Sequence, residues 1–231
     1  MSETSCKNCD EPLTARAGFC PSCGQSVKEI SRPWLEFGRE MLSELLDFDG
    51  RMLTSMRLLL TRPGILSHEY INGRRAAYTS PIRMYLVISL VFFLVLPLIL
   101  PNVSVSYPEH KVSVDLYSKA MFLLMPLFAV FLKILYRHSY YMDHLVFTIH
   151  LFGALYIVFA IMLSFETLAD RFLIIAILQL VFLIYMVWYF ITALHTVYRE
   201  SWARSVFKFL VLLLAFLPVM GAVIEFASHN T

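Results

Sequence analysis

Charge is scarce in this chain. Only 16% of its 231 residues are Asp, Glu, Lys or Arg, against 58% apolar ones, whereas a soluble domain carries roughly 25% charged residues. An ordinary soluble domain is therefore excluded for most of the length, and a mean hydropathy of +0.67 agrees. The net charge is +2 and scattered, too little to mark nucleic acid as a partner. Glycine is scarce as well: the chain has eight, none in a Gly-rich loop, so no phosphate-cradling loop is expected. Nucleophile elbows, H-E-x-x-H patterns and paired catalytic carboxylates are missing. So are the H-x-x-x-H and H-x-x-H-H clusters on which membrane di-iron hydroxylases depend. The first apolar run begins near residue 82 with nothing resembling a signal peptide before it, so none is expected.

Cysteine is absent beyond residue 23, and its few occurrences are concentrated. CKNCDEPLTARAGFCPSCGQ holds Cys6, Cys9, Cys20 and Cys23 as two C-x-x-C pairs, ten residues apart. Each pair lets a tight turn aim two thiolates at one ion, and two turns give four sulfurs at tetrahedral corners. Paired disulfides and a thioredoxin-like redox pair are the alternatives. The first needs an oxidising compartment and the second a βαβ surround that the sequence does not offer. The expectation is a zinc ribbon over residues 1–30. With four cysteines filling every position, its zinc would be structural.

Residues 31–80 read as cytosolic or interfacial amphipathic helices. From Pro33, the residues Trp34, Phe37, Met41, Leu42, Leu45 and Leu46 share one stripe, while Glu36, Glu40 and Glu44 line another face. An acidic face suits docking on protein better than on anionic lipid. Asp49 is placed to cap a second helix, GRMLTSMRLLLTR, made basic by Arg51, Arg57 and Arg62 and stopped by Pro63-Gly64. This helix would lie in the headgroup layer or remain a solvated linker. Asn72-Gly73 is a further helix stop, and Ser80-Pro81 reads as a cap with proline in the first turn.

Residues 81–231 read as a transmembrane bundle, so the expected fold class is an all-α integral membrane protein with five spanning helices. The spans fall at about 82–100, 116–135, 145–164, 171–194 and 206–225, each close to the ~20 residues a bilayer requires. Orientation follows from the loops. One face receives sixteen Lys and Arg, among them Arg74, Arg75, Arg83, Arg199 and Arg204; the other receives Lys111, Lys119 and Arg171. The crowded face should be cytosolic, placing the N-terminus inside and the C-terminus outside. Tyr136, Tyr140, Tyr141, Trp188, Tyr189, Tyr198 and Trp202 gather there and read as an aromatic belt. A reducing cytosol keeps thiols available for zinc, so the charge rule and the cysteine chemistry agree.

The stretches FCPSCGQ, FDGRMLTSMRLLLTRPG, EYINGRRAAYTSPIRMYL and HLVFTIHLFGALY resemble an uncharacterised bacterial family of multi-pass membrane proteins headed by a zinc ribbon. The resemblance implies the same domain plan in a bacterial inner membrane and carries no established activity. Among the polar residues within or beside spans, His144, His150, His195 and Gln179 stand out; such groups are functional candidates, and structural hydrogen bonding between helices is the plainer reading of them. His150 shares a face with Gly153, Ala154 and Ile157, which points it into the bundle. His144 and His150 lie about 120° apart on an ideal helix and are poor joint ligands.

The leading expectation is a non-enzymatic docking or organising protein. The lipid bilayer is its one certain surround, and the ribbon and its collar offer a surface for a protein partner. The alternatives are a small transporter using the His150 face, or a metal- or haem-dependent membrane enzyme using His144, His150 and His195.

Overall fold

The computed structural model describes residues 4–14, 18–27, 50–99, 105–107, 110–112, 114–165 and 173–229. The acidic stripe expected over residues 33–48 lies outside them. Among the described residues there are seven helices: α1 Gly50–Thr61, α2 Ile65–Ile71, α3 Pro81–Ile99, α4 Val114–Leu135, α5 Tyr141–Ser164, α6 Leu173–Tyr198 and α7 Trp202–His229. Extended structure is confined to two small antiparallel hairpins. Strand β1 (Thr4–Ser5) pairs with β2 (Pro12–Leu13) in the cysteine-rich head, and β3 (Val105–Tyr107) pairs with β4 (His110–Val112) between α3 and α4.

Helices occupy all five expected spans. Three of them are long and apolar enough to cross a membrane: Tyr141–Ser164, Ile177–Tyr198 and Trp202–Val223. In the other two the apolar stretches among the described residues are Pro81–Leu96 and Phe122–Leu135. Helices α5, α6 and α7 run about four residues past the expected span ends, at the end that faces the head. Their outermost turns are polar and aromatic (Tyr141 to His144, His195 to Tyr198, Trp202 to Ser205), and the helix simply continues beyond its apolar stretch. Asp143 caps α5 from inside its first turn, accepting the Tyr140 backbone N–H at 3.0 Å.

Helix α5 is the central post. It packs against α3, α4, α6 and both short helices, while α7 closes on α4 and α6. Its ribbon-side half is buried almost all round, including Phe147, Ile149, Leu151 and Ala154. Many apolar side chains of α6 and α7 face outward instead, among them Ile184, Phe207 and Leu214. A helix apolar on all sides yet half exposed is what a lipid surround requires.

The α1–α2 pair forms a collar at the head-side end, packed against α5 and α6. It is packed on the bundle through Met52, Ser55, Leu59 and Leu66, while Arg51, Arg57 and Arg62 stay exposed. Gly64 makes the sharp turn between the two helices at φ 80°. A Cβ there would lie 2.7 Å from the Ala193 carbonyl oxygen and 2.9 Å from Thr196 Cβ, so the turn sits directly on α6. Helix termini leave carbonyls without partners, and α6 supplies them. Tyr189 Oη donates to Leu59 O at 2.7 Å, and Tyr185 Oη donates to Leu60 O at 2.6 Å. Ser55 Oγ accepts the Thr79 backbone N–H at 3.0 Å, which ties α1 to the start of α3.

Candidate functional site

The head is built from two knuckles of one design. In the first, Cys6 N–H donates to Glu11 O at 2.9 Å and Asp10 N–H to Cys6 O at 2.8 Å. In the second, Cys20 N–H donates to Gln25 O at 2.8 Å and Gly24 N–H to Cys20 O at 2.9 Å. Both turns need a left-handed residue after the second cysteine: Gly24 takes φ 71° and Asp10 takes φ 60°. Glycine adopts that region freely and Asp tolerates it.

The knuckles face each other. Cys6 Sγ lies 3.7 Å from Cys23 Sγ and Cys9 Sγ lies 3.6 Å from Cys20 Sγ. All four sulfurs lie within 4.8 Å of one another. Disulfide sulfurs sit about 2.05 Å apart, so the cluster is one of free thiols fit for a metal ion. Cys6 and Cys20 are buried and Cys9 is exposed. The backbone amide of Gln25 helps lower Cys23 to about 7. The Glu11 amide pulls Cys9 down, but desolvation and the neighbouring thiols push it up to about 12. Sulfurs this close compete to ionise, and a bound cation would replace their protons. Among the described residues this is the one group of three or more His, Cys, Asp or Glu side chains gathered closely enough to share a metal.

The Gln25 side chain fastens the head to the collar by two hydrogen bonds. Gln25 Nε2 donates to Gly73 O at 2.8 Å, and Gln25 Oε1 accepts the Arg75 N–H at 3.1 Å. Gly73, at φ 89°, ends α2 as the sequence implies, and a Cβ there would press on Lys7 at 3.0 Å. The Arg74 N–H closes the turn onto Glu69 O at 3.0 Å. Arg74 pairs with Glu69 at 3.1 Å, and Arg75 lies over the Tyr70 ring at 4.8 Å.

The histidines are not brought together. His144 is fully buried, and both its ring nitrogens are engaged: Nδ1 with Tyr198 Oη at 2.7 Å and Nε2 with Tyr136 O at 3.2 Å. His150 does point into the bundle, where its Nδ1 meets Ser67 Oγ of α2 at 2.9 Å. Its Nε2 has no partner among the described residues, and His150 lines a void of about 10 Å³, about the room one water needs. His195 stacks on Trp202 with ring centroids 4.1 Å apart. Gln179 lies half-buried on α6, Arg83 is buried, and Arg204 is exposed.

The aromatic belt divides in two. Tyr140, Trp188 and Trp202 face outward, whereas Tyr136 and Tyr189 are buried. Tyr136 and Tyr198 stack at 3.6 Å, and Lys208 Nζ lies 3.6 Å above the Tyr136 ring. Beside them opens a cleft of about 570 Å³, lined by the end of α2, the α4–α5 connection and the α6–α7 connection. The sequence carries no local signal for it, because its walls come from three separated segments.

One comparison finds a match, and it falls on the collar. Residues 49–93 match a family model described as a protein of unknown function (DUF3667). The match covers α1, α2 and most of α3, and includes Ser55, Gly64, Ser67 and Gly73, the residues by which the collar meets the rest of the molecule. No curated protein and no solved structure matches the chain.

Proposed function

We propose that this is a non-enzymatic multi-pass protein of the bacterial inner membrane, which uses a zinc ribbon fixed at the cytosolic mouth of a five-span bundle to dock a protein partner. In this reading residues 1–30 are the ribbon, 31–80 the collar and 81–231 the bundle. The N-terminus is cytosolic and the C-terminus periplasmic.

The observation that carries it is the Gln25 bridge, which seats the ribbon on the Gly73–Arg75 turn. A metal knob held at a set place over a bundle is a positioned surface. That surface presents Phe19, 64% exposed, beside the half-exposed Val27. Zinc suits the sulfur spacing. A zinc–thiolate bond of about 2.3 Å in tetrahedral geometry sets sulfurs about 3.8 Å apart, close to the 3.6 and 3.7 Å separations across the cluster. Four thiolates leave no open coordination position, which favours a structural role. The occupied nitrogens of His144 and the burial of His150 favour structural hydrogen bonding over a haem site or a permeation path.

Crosslinking in native membranes tests the reading. A discrete crosslinked partner is expected from the intact protein and should be lost in Phe19→Ala, with metal content unchanged. Recovery of no specific partner, or the same partner from Phe19→Ala, would count against it.

A further inference from the structure

We propose that the cleft between the end of α2, the α4–α5 connection and the α6–α7 connection binds a phosphate ester that carries a hydrogen-bond donor near its phosphate. Its volume of about 570 Å³ lies within the roughly 300–1,000 Å³ of small-molecule sites.

The charges that line it sort into used and unused. Lys208 is tied to Glu200 at 2.6 Å, and Asp143 is engaged by the Tyr140 amide at 3.0 Å. Arg137 and Arg199 also line the cleft, and among the described residues neither guanidinium has an ion-pair partner. Guanidinium presents a planar fork of donors that matches a tetrahedral oxyanion.

Two buried atoms point the same way. Tyr136 is 6% exposed, and among the described residues neither its Oη nor Glu200 Oε2 has a hydrogen-bond partner. A buried polar group left unpartnered costs about 1–3 kcal/mol; both side chains line the cleft, their orphan atoms sealed from water just behind its surface, so a ligand answers them once the lining side chains shift. Burial, aided by the Glu200 carboxylate, raises the Tyr136 phenol above its ordinary value, which keeps it a proton donor. A phosphate oxygen can accept from Tyr136, and an amine or hydroxyl of the same ligand can donate to Glu200. A simple carboxylate, with two oxygens and no donor, would leave part of this set unanswered.

Arg199 adds a separate argument. It ends α6 at φ 50°, its N–H donating to His195 O at 3.0 Å. That left-handed position usually holds glycine, and a non-glycine residue there stores strain. The strain is kept at a place that delivers a guanidinium to the cleft. Ile134, Leu135 and Val197 give the same cleft an apolar wall, against which a glycerol or acyl portion can lie.

The test uses the full-length protein in detergent. Saturable binding is measured by calorimetry for inorganic phosphate, glycerol 3-phosphate and dihexanoyl phosphatidylethanolamine, with dihexanoylglycerol as the phosphate-free control. Binding of the phospholipid alone identifies a lipid headgroup; binding of glycerol 3-phosphate or phosphate identifies a soluble source. Either result supports the site.

Arg199→Gly separates ligand binding from structure. It should weaken binding about ten-fold, the loss of one charge-assisted contact worth roughly 1.4 kcal/mol, while leaving the melting temperature of the free protein equal or higher. Arg137→Gln should weaken binding comparably, and Arg57→Gln, on the exposed side of α1, should not. No saturable binding of any phosphate probe would overturn the proposal. Equal binding of dihexanoylglycerol would do so too, as would full affinity retained in both cleft variants.

Discussion

The ribbon and the collar are neighbours held together by opposite means. Among its described residues the ribbon has almost no apolar interior: the buried side chains there are Cys6 and Cys20, and its knuckles close on their own backbone. A segment this short cannot bury enough surface to fold on its own. The collar draws its order from elsewhere in the chain: the Tyr185 and Tyr189 hydroxyls, the Ser67–His150 pair, and the Gly64 turn seated on α6. In the proposed reading one region therefore depends on a metal ion and the other on packing against the bundle. They should fail independently.

The largest effect expected comes from the metal. Cys20→Ser, or a strong chelator, should remove the bound ion and unfold residues 1–30, because metal binding supplies the folding free energy of such small units. The helical circular dichroism of the bundle should survive. Elemental analysis checks the first part, with one ion per chain expected in the intact protein and none in the variant. Limited proteolysis that cleaves the head and leaves the helices intact checks the second. Cooperative collapse of the bundle would show that the two regions are a single unit.

Next comes the collar. Gly64→Ala must place a Cβ 2.7 Å from a backbone oxygen while holding φ at 80°. Strain and overpacking together should cost about 3 kcal/mol, read as a large drop in the melting temperature of detergent-solubilised protein. Metal content should be unchanged. Here the comparison sharpens, since a collar defect that left the ribbon loaded would be the mirror image of the cysteine result.

How far the sequence shows all this depends on the range of the interactions. The cysteine cluster is local: two C-x-x-C turns carry their own geometry, so Cys6, Cys9, Cys20 and Cys23 could be named from spacing. The helices are local too, and Asn72-Gly73 and Ser80-Pro81 mark their ends by turn chemistry. The collar's seat is not local. Ser67 meets His150 across 83 residues, and Leu59 meets Tyr189 across 130, with no periodicity to announce either contact. Tyr136 and Tyr189 read as belt residues because composition places them at an interface. Composition does not say which side of the helix they occupy, and both turn inward. The cleft was invisible for the same reason, being assembled from the end of α2 and two connections far apart in sequence.

Between the two tyrosine caps a graded effect is expected. Tyr189→Phe leaves the Leu59 carbonyl without its partner in a buried place, which should cost about 1–2 kcal/mol. Tyr185→Phe removes a similar bond from a part-buried site, where competing polar groups can substitute, so about 0.5–1 kcal/mol is expected. Thermal unfolding of the two variants side by side measures the difference. Equal losses would mean that burial does not distinguish the two ends of this contact.

The smallest expected effect lies inside the ribbon, where its two knuckles can be set against each other. Gly24 has no atoms within 4 Å of where a Cβ would sit, so Gly24→Ala meets no clash, only the cost of a left-handed alanine, about 1 kcal/mol. Asp10 already bears a milder form of that cost at φ 60°, and Asp10→Gly should recover a few tenths of a kcal/mol, up to about 0.5. Because folding and metal binding are one event in such a unit, both changes should appear as metal affinity. By the relation of 1.4 kcal/mol to a factor of ten, Gly24→Ala should bind about five-fold more weakly and Asp10→Gly about two-fold more tightly. Competition with a calibrated chelator resolves both. Shifts of opposite sign with no change in bundle melting would place the backbone strain inside the ribbon alone, whereas a matching shift in the bundle would mean that the Gln25 bridge transmits it.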